Sequence, residues 1–312
     1  MVEVLIIVKC EVVWRDVNGY VAHARSKINL ALHVVGRTSN GYHQLSSLVA
    51  FCDIADELSV KFNESLGKDR YHIEGPFGQL LSQEPMESNL IVKAVCLLRQ
   101  KTKETFSVDV TLSKNLPLAS GIGGGSTDAA AMLNLLNRGL KKPCLPEELA
   151  ELALTLGADV PMCLDAQPKW ISGIGEVIAF CASFPEFPIL LVNPLMPLST
   201  PQVFKCYKES NAPFDVPLEP VNLRHPEEWV DWLKSARNAL YSSAIQMCPI
   251  VAHVIHTLEN TSGNLLARLS GSGATCFGIY DSVKSAADAA DKVTAKYPDF
   301  WIRRGLLNAK AS

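Results

Sequence analysis

The segment Pro117-Leu118-Ala119-Ser120-Gly121-Ile122-Gly123-Gly124-Gly125-Ser126-Thr127-Asp128-Ala129-Ala130 constrains this chain more than any other stretch. Glycines stand at 121, 123, 124 and 125, directly ahead of an apolar run through Met132, Leu133, Leu135 and Leu136, so a glycine-rich turn opens a helix. In such a turn glycine permits positive φ, and successive N–H groups converge on a concavity that suits an anion. The first N–H groups of the helix lack intrahelical partners, and the positive end of its dipole faces the same way. The combination predicts a phosphate site. No Lys-Ser/Thr pair follows the last glycine, which excludes a Walker A loop. Ser126 stands where the dinucleotide fingerprint needs its third glycine. A purely structural turn is the competing reading, but it would need fewer glycines, each of which costs backbone entropy.

Around this segment the chain alternates between strand and helix patterns without regular βαβ order, which predicts an α+β fold. Strands are expected over 20–37, 45–62 and 71–73, and Ser88-Asn89 caps a helix through Ile91, Val95 and Leu98. Phe106, Val108, Val110 and Leu112 alternate with polar residues, the mark of a half-buried strand leading into the glycine turn. Pro146 and Gly157 bracket a helix, and Gly173 and Gly175 punctuate a turn. Beyond them the pattern predicts a strand at 189–192, helices near 202–207, 227–240 and 250–258, and a strand–turn–strand over 265–280. A helix at 282–296 and a strand at 301–307 close the sequence. A boundary near residue 170 would divide the chain into residues 1–170 and 171–312.

Composition limits the classes of partner. The 312 residues are 48% hydrophobic and 20% charged, ordinary for a globular protein. A net charge of −3 without a basic stripe argues against nucleic acid. The nine cysteines form no Cys-x-x-Cys pair, which predicts reduced thiols and a cytoplasmic setting. No stretch approaches the ~20 apolar residues of a membrane span. The run Val4–Val8 lacks a preceding positive charge and is too short for a signal peptide.

The glycine segment resembles motif 2 of the GHMP kinases (galactokinase, homoserine kinase, mevalonate kinase, phosphomevalonate kinase). Ala24-Arg25-Ser26-Lys27-Ile28-Asn29-Leu30 and Leu269-Ser270-Gly271-Ser272-Gly273-Ala274-Thr275 resemble two further motifs of that family, in the right order. The triplet Gly41-Tyr42-His43, the run Leu156-Gly157-Ala158-Asp159-Val160-Pro161, and Ser199-Thr200-Pro201-Gln202-Val203-Phe204-Lys205 narrow the resemblance. They point to the branch that acts on a cytidine diphosphate-linked methylerythritol. The similarity extends from about Ala22 to about Arg304, so residues 1–20 read as an extension. Arg25 stands where the family commonly has proline, and Ala239 replaces the Asp of an Asn-Asp-Leu pattern.

The resemblance implies a two-domain fold, an N-terminal nucleotide-binding domain and a C-terminal ferredoxin-like substrate domain. It implies ATP as co-substrate with Mg²⁺ and phosphorylation of the 2-hydroxyl of the acceptor, a step toward isoprenoid precursors. In that reading residues 117–127 hold the triphosphate, and Asn89 and Lys114 border the adenine. Asp159 takes the hydroxyl proton, Lys27 stabilises the transferring phosphoryl group, and Asn29 orients the substrate. Tyr42, His43 and Phe204 form a box for cytosine, with Thr200 and Lys205 also on the substrate side. Mg²⁺ arrives with ATP, with Ser126 or Thr127 as its hydroxyl contact.

Each residue also has a plainer reading. Asp159 alone is a helix N-cap ahead of Pro161. Lys27 could face solvent, since alternation sets Lys27 and Asn29 opposite Ile28 and Leu30. Tyr42 and His43 beside a turn could be a half-buried rim, and Phe204 a core residue. His253 and His256, spaced i, i+3, make an incomplete metal set. Three rival functions remain at this level: another member of the family, a silent nucleotide-binding regulator, and an RNA-binding module. Retention of both Lys27 and Asp159 argues against a silent binder.

Overall fold

Two long strands follow from the apolar patterning of the first third of the chain. In the computed structural model, which describes residues 12–14, 19–63 and 67–309, they are β2 (Tyr20–Arg37) and β3 (His43–Asn63), after a short β1 (Val12–Trp14). Next come β4 (Arg70–Glu74), α1 (Gly78–Leu81), α2 (Leu90–Thr102), β5 (Ser107–Ser113), α3 (Gly124–Gly139) and α4 (Pro146–Leu156). Then follow β6 (Lys169–Gly173), β7 (Val177–Phe180), β8 (Phe187–Asn193), α5 (Thr200–Glu209), α6 (Pro226–Ser235), α7 (Tyr241–Met247) and α8 (Ile250–Glu259). The chain closes with β9 (Asn264–Leu269), β10 (Cys276–Tyr280), α9 (Val283–Lys296) and β11 (Trp301–Leu307). The mixture is α+β, as its patterning predicts. The expected extension, residues 1–20, lies mostly outside the described residues.

The chain forms two compact units. The first comprises residues 1–26, 55–118 and 123–166; the second comprises 27–54, 119–122 and 167–312. In the first unit β5 pairs antiparallel with the second half of β3 and parallel with β4. Its Val108, Val110 and Leu112 are buried and its intervening positions half-exposed, as alternation requires. The side chain of Asn89 caps α2, accepting from the N–H of Ile91 at 3.0 Å. Every residue of α3 from Thr127 to Leu136 is buried. A helix buried on all sides belongs at the centre of its unit, and α2 and α4 pack against it.

In the second unit the strand order β11-β8-β10-β9 is wholly antiparallel. With α8 between β8 and β9, and α9 between β10 and β11, this is the βαββαβ arrangement of a ferredoxin-like fold. The first half of β3 joins the same sheet through Cys52 opposite Leu307 and also pairs with β6. Leu32, Val34, Leu190, Val192, Val254, Leu258, Leu269 and Val293 belong to its core.

One local expectation needs correction. The helix expected over 227–240 stops at Ser235, because the next residues take strand-like partners instead. Leu32 donates its N–H to Arg237 O at 2.9 Å, and Ala239 donates to Leu32 O at 2.7 Å. The chain then restarts as α7, which lies between the two helices expected there and was not itself expected. The turn at Gly173 and Gly175 joins a β6–β7 hairpin; Trp170-Ile171 and Val177-Ile178 are the strand signal on either side.

Candidate active site

The glycine segment leaves the start of α3 uncapped. Gly123, at φ +69°, is the N-cap; no side chain caps the helix and no acid lies in its first turn. Thr127 is the first residue whose N–H bonds within the helix, to Gly123 O at 2.9 Å. The N–H groups of Gly124, Gly125 and Ser126 therefore have no intrahelical acceptor and sit at the positive end of the dipole. Gly125 is exposed and Ser126 half-buried, whereas Thr127 is buried with its hydroxyl donating to Gly124 O at 3.0 Å.

Residues 119–122 belong to the second unit, where they meet the loop between β9 and β10. The Ser270 hydroxyl donates to Gly121 O at 3.0 Å and accepts the Asn29 N–H at 3.1 Å. Thr275 donates its N–H to Ser120 O at 3.1 Å, and Lys27 donates its own to Ile122 O at 2.9 Å. Gly121 has φ +76°, and a Cβ there would lie 2.5 Å from Ser270 O and 2.7 Å from Gly273 N. Three stretches expected to act together, around Lys27, Gly121 and Ser270, are thus interlocked through backbone.

Lys27 and Asn29 are both 6% exposed, so the solvent-facing reading of Lys27 does not hold. Residues 26–32 of β2 are buried on both faces, which alternation alone could not reveal. Asn29 donates from Nδ2 to the Ser47 hydroxyl at 2.9 Å, while its buried Oδ1 has no hydrogen-bond partner. Such an orphaned acceptor suits a ligand donor. Asp159 is half-buried, and its carbonyl accepts from Cys163 Sγ at 3.1 Å. The element after it is a single 3₁₀ turn, Pro161–Cys163, with Val160 at the N-cap, so the capping reading of Asp159 is not supported.

Lys114 departs from its expected place beside the adenine. It is 1% exposed, and its ammonium donates to Asp56 and Asp128, each at 2.6 Å. Ion pairing on both sides makes it an internal tie rather than the rim of a pocket. Asn89 uses its Oδ1 as a helix cap, which leaves its amide nitrogen for a ligand.

On the second unit His43 stacks on Phe204, with ring centroids 5.0 Å apart and 27° between planes. At that spacing nothing fits between them, so a base would stack on the outside of the pair. Tyr207 meets His43 edge-on at 5.7 Å, a neighbour that sequence reading missed although it lies one helical turn from Phe204. Burial, then the charges of Arg37 and Lys208, hold the imidazole of His43 below its ordinary value, favouring the neutral ring. Tyr42 is 62% exposed. The Thr200 hydroxyl bonds the Ser272 hydroxyl at 2.7 Å, and Lys205 is exposed, 3.9 Å from Glu209.

Residues 89–167 match the GHMP kinases N terminal domain, and residues 227–299 match the GHMP kinases C terminal domain. A 4-diphosphocytidyl-2-C-methyl-D-erythritol kinase from Chelativorans sp. (strain BNC1) is 46% identical over 90% of this chain and 93% of its own length. The chain belongs to the GHMP kinase family. A relative of the same name from Rhizobium etli (strain CIAT 652) is 42% identical over 91% of this GHMP kinase and 94% of its own length. The crystal structure of a 4-(cytidine 5'-diphospho)-2C-methyl-D-erythritol kinase superimposes with a TM-score of 0.75 at 28% identity, covering 93% of this chain and 100% of that one. The mevalonate kinase of L. major, at 17% identity and a TM-score of 0.68 over 93% and 96% of the two chains, shares the fold. Membership makes this GHMP kinase an ATP-dependent phosphotransferase. No helix among the described residues is long and apolar enough to cross a membrane.

Proposed function

We propose that this protein phosphorylates the 2-hydroxyl of 4-diphosphocytidyl-2-C-methyl-D-erythritol with ATP, in the cytoplasm, as a step of the methylerythritol phosphate route to isoprenoid precursors. The observation that carries the reading is the 46% identity over 90% of the chain to a kinase bearing that substrate's name. The geometry supports it at two places. The uncapped, acid-free start of α3 suits a triphosphate, and the neutral His43 stacked on Phe204 suits an uncharged aromatic base. Residues 117–127 hold the phosphates, and Asn89 lies on the adenine side. Residues 171–312 supply Thr200, Phe204 and Lys205 to the acceptor, joined by Asn29, Tyr42 and His43 from β2, β3 and the turn between them.

Phosphoryl transfer asks the protein mainly for positioning and charge stabilisation. Asp159 accepts the proton of the 2-hydroxyl as its oxygen attacks the γ-phosphorus in line. The ammonium of Lys27 and the N–H groups at the start of α3 oppose the negative charge that develops. Asn29 Oδ1 accepts from the acceptor molecule, Lys205 meets its diphosphate, and Thr200 is a further substrate residue. A magnesium ion that enters with the nucleotide keeps several waters and needs few protein ligands. Mg²⁺, when bound, neutralises phosphate charge, and Ser126 is the half-buried hydroxyl available to it.

Turnover measured with the cytidylylated acceptor, homoserine and mevalonate tests the reading. The expected result is turnover with the first alone; preference for either of the others would overturn it. Phe204→Ala supplies a second check. Loss of stacking worth about 1 kcal/mol should raise KM for the cytidylylated acceptor roughly fivefold, with KM for ATP unchanged. An equal change for both substrates would remove Phe204 from the base site.

A further inference from the structure

The buried cluster of Asp56, Lys114 and Asp128 has no part in the chemistry above, yet it lies directly beneath the glycine segment. Asp56 and Lys114 are 0% and 1% exposed, and Asp128 3%. One carboxylate, Asp56, governs three consecutive residues. Its Oδ1 accepts the N–H groups of Asn115 and of Leu116 (2.8 Å), and its Oδ2 accepts the ammonium of Lys114 at 2.6 Å. The same ammonium continues to Asp128 Oδ2, in the second turn of α3. The backbone of Lys114 is fixed as well: its N–H donates to Glu74 O at 2.8 Å, and its carbonyl accepts from Phe77 N–H at 3.1 Å. Gly75, at φ +86°, leaves room for it, since a Cβ there would lie 2.9 Å from Lys114 N.

The cluster also touches the first residue of the phosphate helix. A Cβ on Gly124 would lie 3.1 Å from Lys114 Nζ, 3.6 Å from Leu116 Cβ and 3.7 Å from Asp56 Oδ2. Gly124 has ordinary helical backbone, so its lack of a side chain serves this contact and not a positive φ.

Stability alone is a poor reason for such a cluster. Burying two carboxylates against one ammonium carries a desolvation cost that apolar residues of the same volume would avoid. Burial and the neighbouring charge of Asp56 push the Asp128 carboxyl up to about 7, against the pull of Lys114. Asp128 Oδ1 is buried without a hydrogen-bond partner. What the cluster does supply is geometry, joining the residues ahead of the glycine turn to the helix behind it.

We propose that Asp56, with Lys114 and Asp128, forms a positioning network that holds the start of α3 in the conformation that binds the triphosphate. None of the three is a catalytic residue; they act through the backbone of the glycine segment. The proposal rests on the nucleotide reading of that segment given above. Preorganised N–H donors lose their value when displaced by a fraction of an ångström, so slackening the network should weaken nucleotide binding before it slows the chemical step.

Steady-state kinetics on Asp56→Asn, with calorimetric titration of ADP, tests this. The expected result is an increase in KM for ATP and in Kd for ADP of about tenfold, with KM for the acceptor and kcat at saturating ATP within about twofold of wild type. Lys114→Gln, which severs the bridge to Asp128, carries the same test if Asp56→Asn does not fold. Asp69→Asn is the control, since it weakens another ion pair of the same unit, to Arg99 at 2.6 and 2.7 Å. It should lower the melting temperature and leave KM for ATP unchanged. Unchanged nucleotide affinity in a folded Asp56 or Lys114 variant, a fall in kcat alone, or an equal rise in KM for ATP in Asp69→Asn would overturn the proposal. Wild-type protein that fails to bind ADP at all would instead refute the underlying nucleotide reading.

Discussion

At the scale of single residues, chemistry and stability separate cleanly. Asp159 neither caps a helix nor sits deep in a core, so Asp159→Asn alters charge with little change in shape. Loss of a general base should lower kcat by about 10²–10⁴-fold. ADP affinity and melting temperature should be near wild type. Lys27→Met should do the same, and the double variant should be little worse than either, because groups that act as a unit are not additive. Near-normal turnover in Asp159→Asn would exclude it as the base. Asp128 contributes differently. Its folded carboxyl is raised to about 7 by burial, helped by the charge of Asp56 and opposed by that of Lys114, while the unfolded chain has the ordinary carboxylate value. A raised acid binds its proton more tightly when folded, so its contribution is complete at low pH and is lost as pH rises through about 7. Asp128→Asn cannot titrate. Denaturation midpoints measured from pH 4 to 8 should therefore decline less in that variant than in wild type; parallel curves would refute the assignment.

At the scale of elements, backbone contact couples the glycine segment to the loop between β9 and β10. Gly121 combines φ +76° with a Cβ position 2.5 Å from Ser270 O, so even alanine must displace backbone. Gly121→Ala should raise KM for ATP and lower the melting temperature together, and hydrogen exchange should quicken at the N–H of Thr275 and of Asn29, both bonded to this junction. Unaltered exchange there would mean that the segment folds independently of the loop. Arg268 shows how the second unit handles a strand and a helix end with one side chain. Its guanidinium donates to Leu30 O, Leu233 O and Ala236 O at 2.6, 2.7 and 2.9 Å, and burial lowers it to about 10.

At the scale of the whole molecule, the chain does not divide at a single point. It passes between units after residues 26, 54, 118, 122 and 166. The core of the second unit takes Leu32 and Val34 from β2, and its sheet takes β3 beside β11 and β6. A fragment of residues 171–312 lacks these strands. Expressed alone, it should show helical circular dichroism without the dispersed amide spectrum of a packed core, and adding residues 27–54 in trans should restore dispersion. A well-dispersed spectrum from the fragment by itself would show that the early strands are dispensable.

The sequence by itself determined most element types, the glycine turn ahead of α3 and the family, because these depend on local chemistry. Glycines ahead of an apolar helix, alternation in β5, and Pro146 with Gly157 around α4 each act within a few residues. The expected strand over 301–307 and the Asn89 cap follow for the same reason. Tertiary structure decided what long-range partners decide. Alternation placed Lys27 on an open face of β2, but neighbours cover both faces of that stretch. Helical periodicity carried α6 through to Leu240, but Leu32 draws the backbone of Arg237 and Ala239 into strand-like bonds. Lys114 read as a ligand residue because nothing in its own neighbourhood identifies Asp56, 58 residues earlier, as its partner. Local preference is written along the chain, whereas the burial of a charge depends on which distant group is brought to meet it.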